Sequence, residues 1–180
     1  MRLDGSLIME RKLRNIEPRL TMPAPAKTAL KVELLALLHD DLDTLERAYR
    51  ATTEGATHEE AKPENDKDTR ALEQSYLARG QAARIEELRA SIAGVTALPL
   101  KDFDARPAAL GALVTVDEEG AESTLLLAPA GGGARLAGGT VQVVTPPSPL
   151  GRALLGKRAG DEAEVVVGGK TRTMQVVRVV

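Results

Sequence analysis

His58-Glu59-Glu60-Ala61-Lys62-Pro63-Glu64-Asn65-Asp66-Lys67-Asp68-Thr69-Arg70 separates two long stretches of helical periodicity, and its reading decides the fold. Pro63 removes a backbone donor and disfavours a helical Lys62, so the sequence predicts a break here rather than one continuous helix. Asn65, Asp66 and Asp68 are short polar side chains able to accept from the free amides of a returning helix. Glu59, Glu60, Glu64, Asp66 and Asp68 crowd the break with negative charge. The local expectation is a helical hairpin with an acidic turn. Such a turn is either a solvated bend, the usual setting of acidic residues, or a device that carries charge into another molecule. Lys67 and Arg70 sit among the acids, where they limit self-repulsion without contributing much stability.

The flanks support a hairpin. From about Lys27, Leu35, Leu38, Leu42, Leu45 and Tyr49 recur at alternating spacings of three and four, the mark of a narrow coiled-coil seam. Leu34 and Leu37 widen the apolar stripe at the base, as though a third element packs there. Gly55 and its neighbouring threonines loosen the pattern before the turn. The returning helix is expected from Asp66–Thr69 to about Ala93, with Ile85, Leu88, Ile92 and Val95 as its seam. Nearer the turn the seam falls on Ala71, Ala78 and Gln81, which bury less apolar area and make that end softer. Each arm reaches about 40 Å at ~1.5 Å per residue. A helical bundle would need another long amphipathic helix, and after Gly94 none appears.

The second half changes period. Ala112–Val116 and Ser123–Leu127 read as strands around the turn residues Asp117-Glu118-Glu119-Gly120. Val141–Val144 is a third strand, and Ala163–Val167 and Thr173–Val179 form a hairpin about Gly168-Gly169. Ser148 to Gly156 reads as a short helix with Ser148 as cap, Pro149 in the first turn and Gly156 past the end. The glycines at 131–133 lack a following Gly-Lys-Ser/Thr and read as a loop rather than a phosphate cradle. The fold class is therefore α+β, with boundaries at 1–25 (an arm of no assigned role), 26–96 (antiparallel coiled coil), 97–109 (linker, whose Leu98, Leu100 and Phe103 can pack on the sheet) and 110–180 (sheet domain).

Composition narrows the function. The 180 residues carry a formal net charge of -2, which argues against binding nucleic acid by phosphate neutralisation. Tyr49, Tyr76 and Phe103 are the full aromatic set, so base-stacking platforms are not expected. There is no cysteine, and His39 and His58 form no HxxxH or HExxH pattern. No apolar run approaches the ~20 residues of a membrane span, and Met1–Gly5 does not read as a signal peptide; a cytoplasmic protein is expected.

One stretch is more specific. Ser148-Pro149-Leu150-Gly151-Arg152-Ala153-Leu154-Leu155-Gly156-Lys157-Arg158-Ala159-Gly160-Asp161-Glu162, preceded by Val141-Gln142-Val143-Val144 and followed by Gly168-Gly169-Lys170-Thr171-Arg172-Thr173-Met174, resembles the C-terminal domain of the bacterial Gre transcription factors (GreA/GreB). The resemblance covers about residues 27–180, because a coiled coil ahead of that domain is the family's layout. It implies an FKBP-like C-terminal domain that docks on bacterial RNA polymerase at the rim of the secondary channel, here through Ser148, Pro149, Arg152, Lys157 and Arg158. It also implies a coiled coil that enters the channel as a monomer, meeting nascent RNA and DNA only within the elongation complex, with no membrane involved. The acidic turn would act in trans on the polymerase's own Mg²⁺, with no cofactor of its own and no intrinsic catalysis.

Gre tips carry an Asp and a Glu three residues apart, the Glu followed by Asn, with a Glu-Gln farther along. Glu64-Asn65 and Glu73-Gln74 match, but Ala61 stands where the Asp is expected, so Glu60, or Asp66 and Asp68, would have to substitute. The implied order is Glu64, Asp66, Asp68, Glu60, with Glu64 and Asp66 as metal ligands only in complex with polymerase. Magnesium needs only one or two protein carboxylates beside its retained waters, and two-metal phosphoryl chemistry needs a second ion and an activated water. The alternative is a channel regulator that blocks without promoting RNA cleavage. An FKBP-type prolyl isomerase is disfavoured because that activity uses an aromatic-lined pocket, and all three aromatics precede the sheet. A generic coiled-coil adaptor would leave Ser148–Asp161 unexplained.

Overall fold

The computed structural model describes residues 26–57, 69–104 and 106–180. Helix α1 (Lys27–Thr57) and helix α2 (Thr69–Thr96) run side by side in opposite directions. At 31 and 28 residues they are about 46 and 42 Å long. Both exceed the expected bounds: α1 continues through Gly55, and α2 runs three residues past Ala93. One glycine costs a helix only ~1 kcal/mol, which the neighbouring turns outweigh. Leu34, Leu38, Ile85 and Val95 are buried, and Leu35, Leu42, Leu45, Tyr49, Leu88 and Ile92 are half-buried, as the three/four spacing requires. Leu37 departs from expectation: it lies 42% exposed, because the third element reaches only the Leu30–Leu34–Leu38 side of α1.

That third element is a six-stranded mixed sheet in the order β3-β4-β2-β1-β6-β5. Strands β1 (Leu113–Glu118) and β2 (Ala121–Leu127) form an antiparallel hairpin whose turn, Glu119-Gly120, has φ of 54° and 88° at its two residues. Two consecutive left-handed residues give the turn whose twist matches that of the strands. The Asp117 carboxylate accepts from Gly120 N–H at 3.0 Å and closes it. Strands β5 (Glu162–Val167) and β6 (Lys170–Val179) pair in the same way around Gly168-Gly169, as the sequence predicts. Strand β4 (Val141–Val144) lies parallel to β2, and β6 returns antiparallel to β1 with an irregularity at Thr115/Val116.

Strand β3 (Arg135–Leu136), paired antiparallel with β4, was not anticipated. Two residues within a glycine-rich stretch are too few to show a period.

Alternation along the strands divides the core in two. Val114, Val116, Leu125, Leu127, Val144, Val165, Met174 and Val176 face one side, where the short helix α3 (Pro149–Leu154) covers them with Leu154 and with Phe103 from the linker. Leu113, Leu126, Val141, Val143 and Leu136 face the other side and bury Leu30, Leu34, Leu38, Val95 and Leu98 from the hairpin base and its exit. The linker is thus a docking segment that contributes to both cores. Arg172 and Glu118 flank a groove beside α3 of about 540 Å³, floored by Val116, Leu125, Val165 and Met174. Among the described residues no aromatic side chain lines it.

Candidate functional site

Two regions carry the expected functional residues. The acidic turn with Glu60, Glu64, Asp66 and Asp68 lies outside the described residues; the stem that bears it and the motif around α3 lie within them.

Chain geometry explains the Ser148–Gly156 motif residue by residue. Ser148 is extended, at φ -70° and ψ 153°, and its Oγ accepts from Gly151 N–H at 3.0 Å. The same hydroxyl donates to Thr145 O at 2.7 Å, so one side chain ties the helix start to the end of β4. Pro149 occupies the first turn, where a missing N–H leaves no bond unmade. Gly151 sits against that strand end: a Cβ there would meet Thr145 O at 2.0 Å. Leu154 is fully buried, and Gly156 N–H donates to Ala108 O at 2.8 Å while Ala108 N–H donates to Lys157 O at 2.7 Å. Asp161 closes the next turn by accepting from Arg158 N–H at 2.8 Å.

On this frame Pro149, Arg152 and Arg158 are exposed and Ser148 and Lys157 half-buried. The Arg152 guanidinium donates to Pro147 O, which holds the cation over the Pro146-Pro147 turn. Ser148, Pro149 and Arg152 therefore share the cap and first turn of α3, with Lys157 and Arg158 just past the Leu155-Gly156 turn that follows it. At the far end of the groove Arg172 makes a two-pronged pair with Glu118, its Nε donating to Oε1 at 2.6 Å. This hydrogen bond holds the Glu118 carboxyl below its ordinary range and raises Arg172.

The stem is fastened at its base by polar contacts as well as apolar ones. Lys31 Nζ donates to Thr96 O at 2.7 Å and Leu98 O at 2.9 Å, placing a cation on the free carbonyls that end α2. Lys27 Nζ lies 4.8 Å from the centre of the Phe103 ring and donates to Lys101 O. Burial lowers the Lys27 pKa, opposed by nearby Asp102. Glu33 Oε2 accepts from Ala137 N–H at 2.9 Å, joining α1 to the connection between β3 and β4. Gly131 admits Leu34 to the sheet, since a Cβ there would stand 2.5 Å from Leu34 Cδ1. Midway along the stem Arg89 bridges the helices to Glu46 at 2.7 Å, and that bond, with Glu86 beside it, raises the Arg89 pKa.

Sequence reasoning missed Lys27, Lys31, Glu33 and the Glu118–Arg172 pair. Glu33 and Ala137 are 104 residues apart, and an acid between Val32 and Leu34 on a helix reads as surface. The available signal was Lys27 and Lys31, one turn apart beside Leu30 and Leu34. Among the described residues no three His, Cys, Asp or Glu side chains converge to hold a metal, and no helix is long and apolar enough to cross a membrane.

Comparison with known proteins agrees with the motif. Residues 108–180 match the family described as transcription elongation factor GreA/GreB, C-terminal. The chain is 30% identical over 151 residues to transcription elongation factor GreA of Halorhodospira halophila, covering 83% of this chain and 90% of that protein. It is 24% identical to the crystal structure of GreA factor homolog 1 of Thermus thermophilus, over 84% of this chain and 95% of that one, with a TM-score of 0.35. It is also 24% identical to a prokaryotic transcription elongation factor GreA/GreB from Nitrosomonas europaea, over 63% of this chain and 94% of that one, with a TM-score of 0.33. The full-length relative and the C-terminal match together carry the conclusion that this chain belongs to the GreA/GreB family of transcription elongation factors.

Proposed function

We propose that this protein binds RNA polymerase through the surface around α3 and places the acidic turn of its hairpin in the secondary channel, beside the catalytic metal. The observation that carries the reading is the mount: a stem of about 40 Å fixed by a buried apolar contact to the domain that bears the family's motif. Such a stem can deliver charge at a distance, and that is the hairpin's whole role in the mechanism. Glu64 leads the tip acids, followed by Asp66, Asp68 and Glu60; one or two of them would complete the coordination of a Mg²⁺ that polymerase binds weakly. That ion would stabilise an attacking water in the hydrolysis of backtracked RNA. Polymerase supplies the substrate site and the rest of the metal shell, so this chain modulates that enzyme rather than catalysing alone.

A second reading has a specific observation behind it. Ala61 occupies the register in which the family's tip carries Asp, which favours a factor that occupies the channel without promoting cleavage. Backtracked elongation complexes, incubated with and without the protein, separate the two. Faster RNA cleavage, lost in Glu64→Gln, supports the first reading. Slowed extension without cleavage supports the second. A protein with no affinity for polymerase defeats both.

A further inference from the structure

We propose that Glu33 is a positioning residue that latches the hairpin base at one angle to the sheet, and so determines where the acidic turn lies relative to the surface around α3. The inference rests on the channel reading for its functional consequence, though not for the latch itself.

Leverage makes the angle matter. From Glu33 to the end of α1 at Thr57 the helix rises about 36 Å. A tilt of about 10° at the base therefore moves the far end by roughly 6 Å. Magnesium takes its oxygens at about 2.0–2.1 Å, so a displacement of that size removes a carboxylate from an ion held elsewhere. The apolar contact of Leu30, Leu34 and Leu38 with the sheet fixes that the stem is seated, but hydrophobic attraction has no direction. Directional restraint comes from the polar contact that crosses to the sheet. Glu33 Oε2 takes the Ala137 N–H at 2.9 Å, whereas Lys31 Nζ, on Thr96 O and Leu98 O at 2.7 and 2.9 Å, ties α1 to the end of α2 and leaves the angle to the sheet to Glu33.

The connection that meets Glu33 is shaped for the purpose. Ala137, Gly138 and Gly139 have φ of 51°, 65° and 93°, three left-handed residues in succession, the first of them carrying a Cβ. A non-glycine residue there costs backbone energy, and a two-residue strand beside it offers little to offset that cost. What the conformation does is aim the Ala137 amide at α1. Fully buried Leu136 anchors the turn on one side, and Thr140 Oγ1, donating to Ala137 O at 2.9 Å, holds the same residue on the other.

The chain has no cysteine, so Leu77→Cys and Glu122→Cys, both at exposed positions, place two spin labels on the full-length protein, one on the stem and one on the sheet. Pulsed dipolar spectroscopy should give a narrow distance distribution for otherwise unaltered protein. Glu33→Ala should broaden or shift it by several ångströms, and Ala137 amide exchange should quicken about tenfold in the same variant. Glu33→Gln retains a carbonyl acceptor and should restore both readouts. On polymerase, Glu33→Ala should bind as the parent does but lose most of its effect on backtracked complexes. An unchanged distribution in Glu33→Ala overturns the latch whatever polymerase does. A broadened distribution with full effect on polymerase overturns the positioning role. Should the parent protein not bind polymerase, the channel reading fails instead, and the spectroscopic arm still decides the latch.

Discussion

Gly151→Ala tests whether the family motif is an architectural device before it is a recognition surface. The added methyl would lie 2.0 Å from Thr145 O and 2.7 Å from Thr145 C, both backbone atoms at the end of a paired strand. That is more than ~1 Å inside ordinary contact, and neither atom belongs to a flexible side chain that could swing away. Relief requires α3 to move outward. Movement opens the bonds of Ser148 Oγ to Thr145 O (2.7 Å) and from Gly151 N–H (3.0 Å). Overpacking costs about 1–3 kcal/mol and loss of an N-cap about 0.5–2 kcal/mol, so the variant should lose roughly 2–5 kcal/mol in equilibrium urea denaturation. It should also bind polymerase less well, because Pro149 and Arg152 ride on the displaced turn. A loss below about 1 kcal/mol would refute the steric argument. A full loss of stability with unchanged affinity would show that the turn is not the docking surface.

Leu34→Ala empties a fully buried position between the stem and the sheet and should cost about 2–5 kcal/mol, read from the midpoint of thermal or urea melting. Gly80→Ala should instead stabilise by about 0.5–1 kcal/mol: Gly80 is exposed within α2 and a Cβ there meets nothing within 4 Å. For Glu118→Gln the expectation depends on pH. The Arg172 hydrogen bond lowers the folded-state pKa of Glu118, so its contribution is fully present above the unfolded value near ~4.3 and is lost as pH falls through the lowered folded value. Denaturation midpoints of the variant should therefore trail wild type at neutral pH and converge with it in acid; a gap that widens in acid would contradict the assignment.

The parts of the fold legible in the sequence are those with a period or a turn chemistry of their own. Leu35, Leu38, Leu42 and Leu45 declare a seam because a helix returns to one face every three or four residues. Asp117-Glu118-Glu119-Gly120 and Gly168-Gly169 mark the two hairpins, but the first turn is only Glu119-Gly120, both left-handed, and Asp117 and Glu118 extend β1 by pairing with Glu122 and Ala121. Ser148, Pro149 and Gly156 mark the ends of α3 by capping chemistry. Strand order was not legible, nor was the parallel pairing of β2 with β4, since neither depends on neighbours in the chain. The same holds for the choice between Leu34 and Leu37: both fit a widened stripe, and only the position of the sheet settles which one is buried. At the candidate site, Ser148, Pro149 and Arg152 were legible as one turn, whereas Glu33 meets Ala137 across 104 residues and leaves no local trace. Glu60, Asp66 and Asp68 stand out by charge, and Glu64 also by the Asn65 after it and the Glu73-Gln74 farther on; their arrangement lies outside the described residues.

Placement of the acidic turn beside polymerase's catalytic metal is the central functional claim, and radical footprinting from that metal tests it without reference to activity. Replacing the catalytic Mg²⁺ of polymerase with Fe²⁺ makes the ion a local source of hydroxyl radicals, which cut only nearby polypeptide. With the full-length protein labelled at its C-terminus, the account predicts cuts clustered within residues 58–70, and none in the sheet from Leu113 to Val179. It further predicts that an excess of unlabelled protein abolishes them. Cuts in the sheet domain, or an uncut chain in a complex shown to have formed, would contradict it.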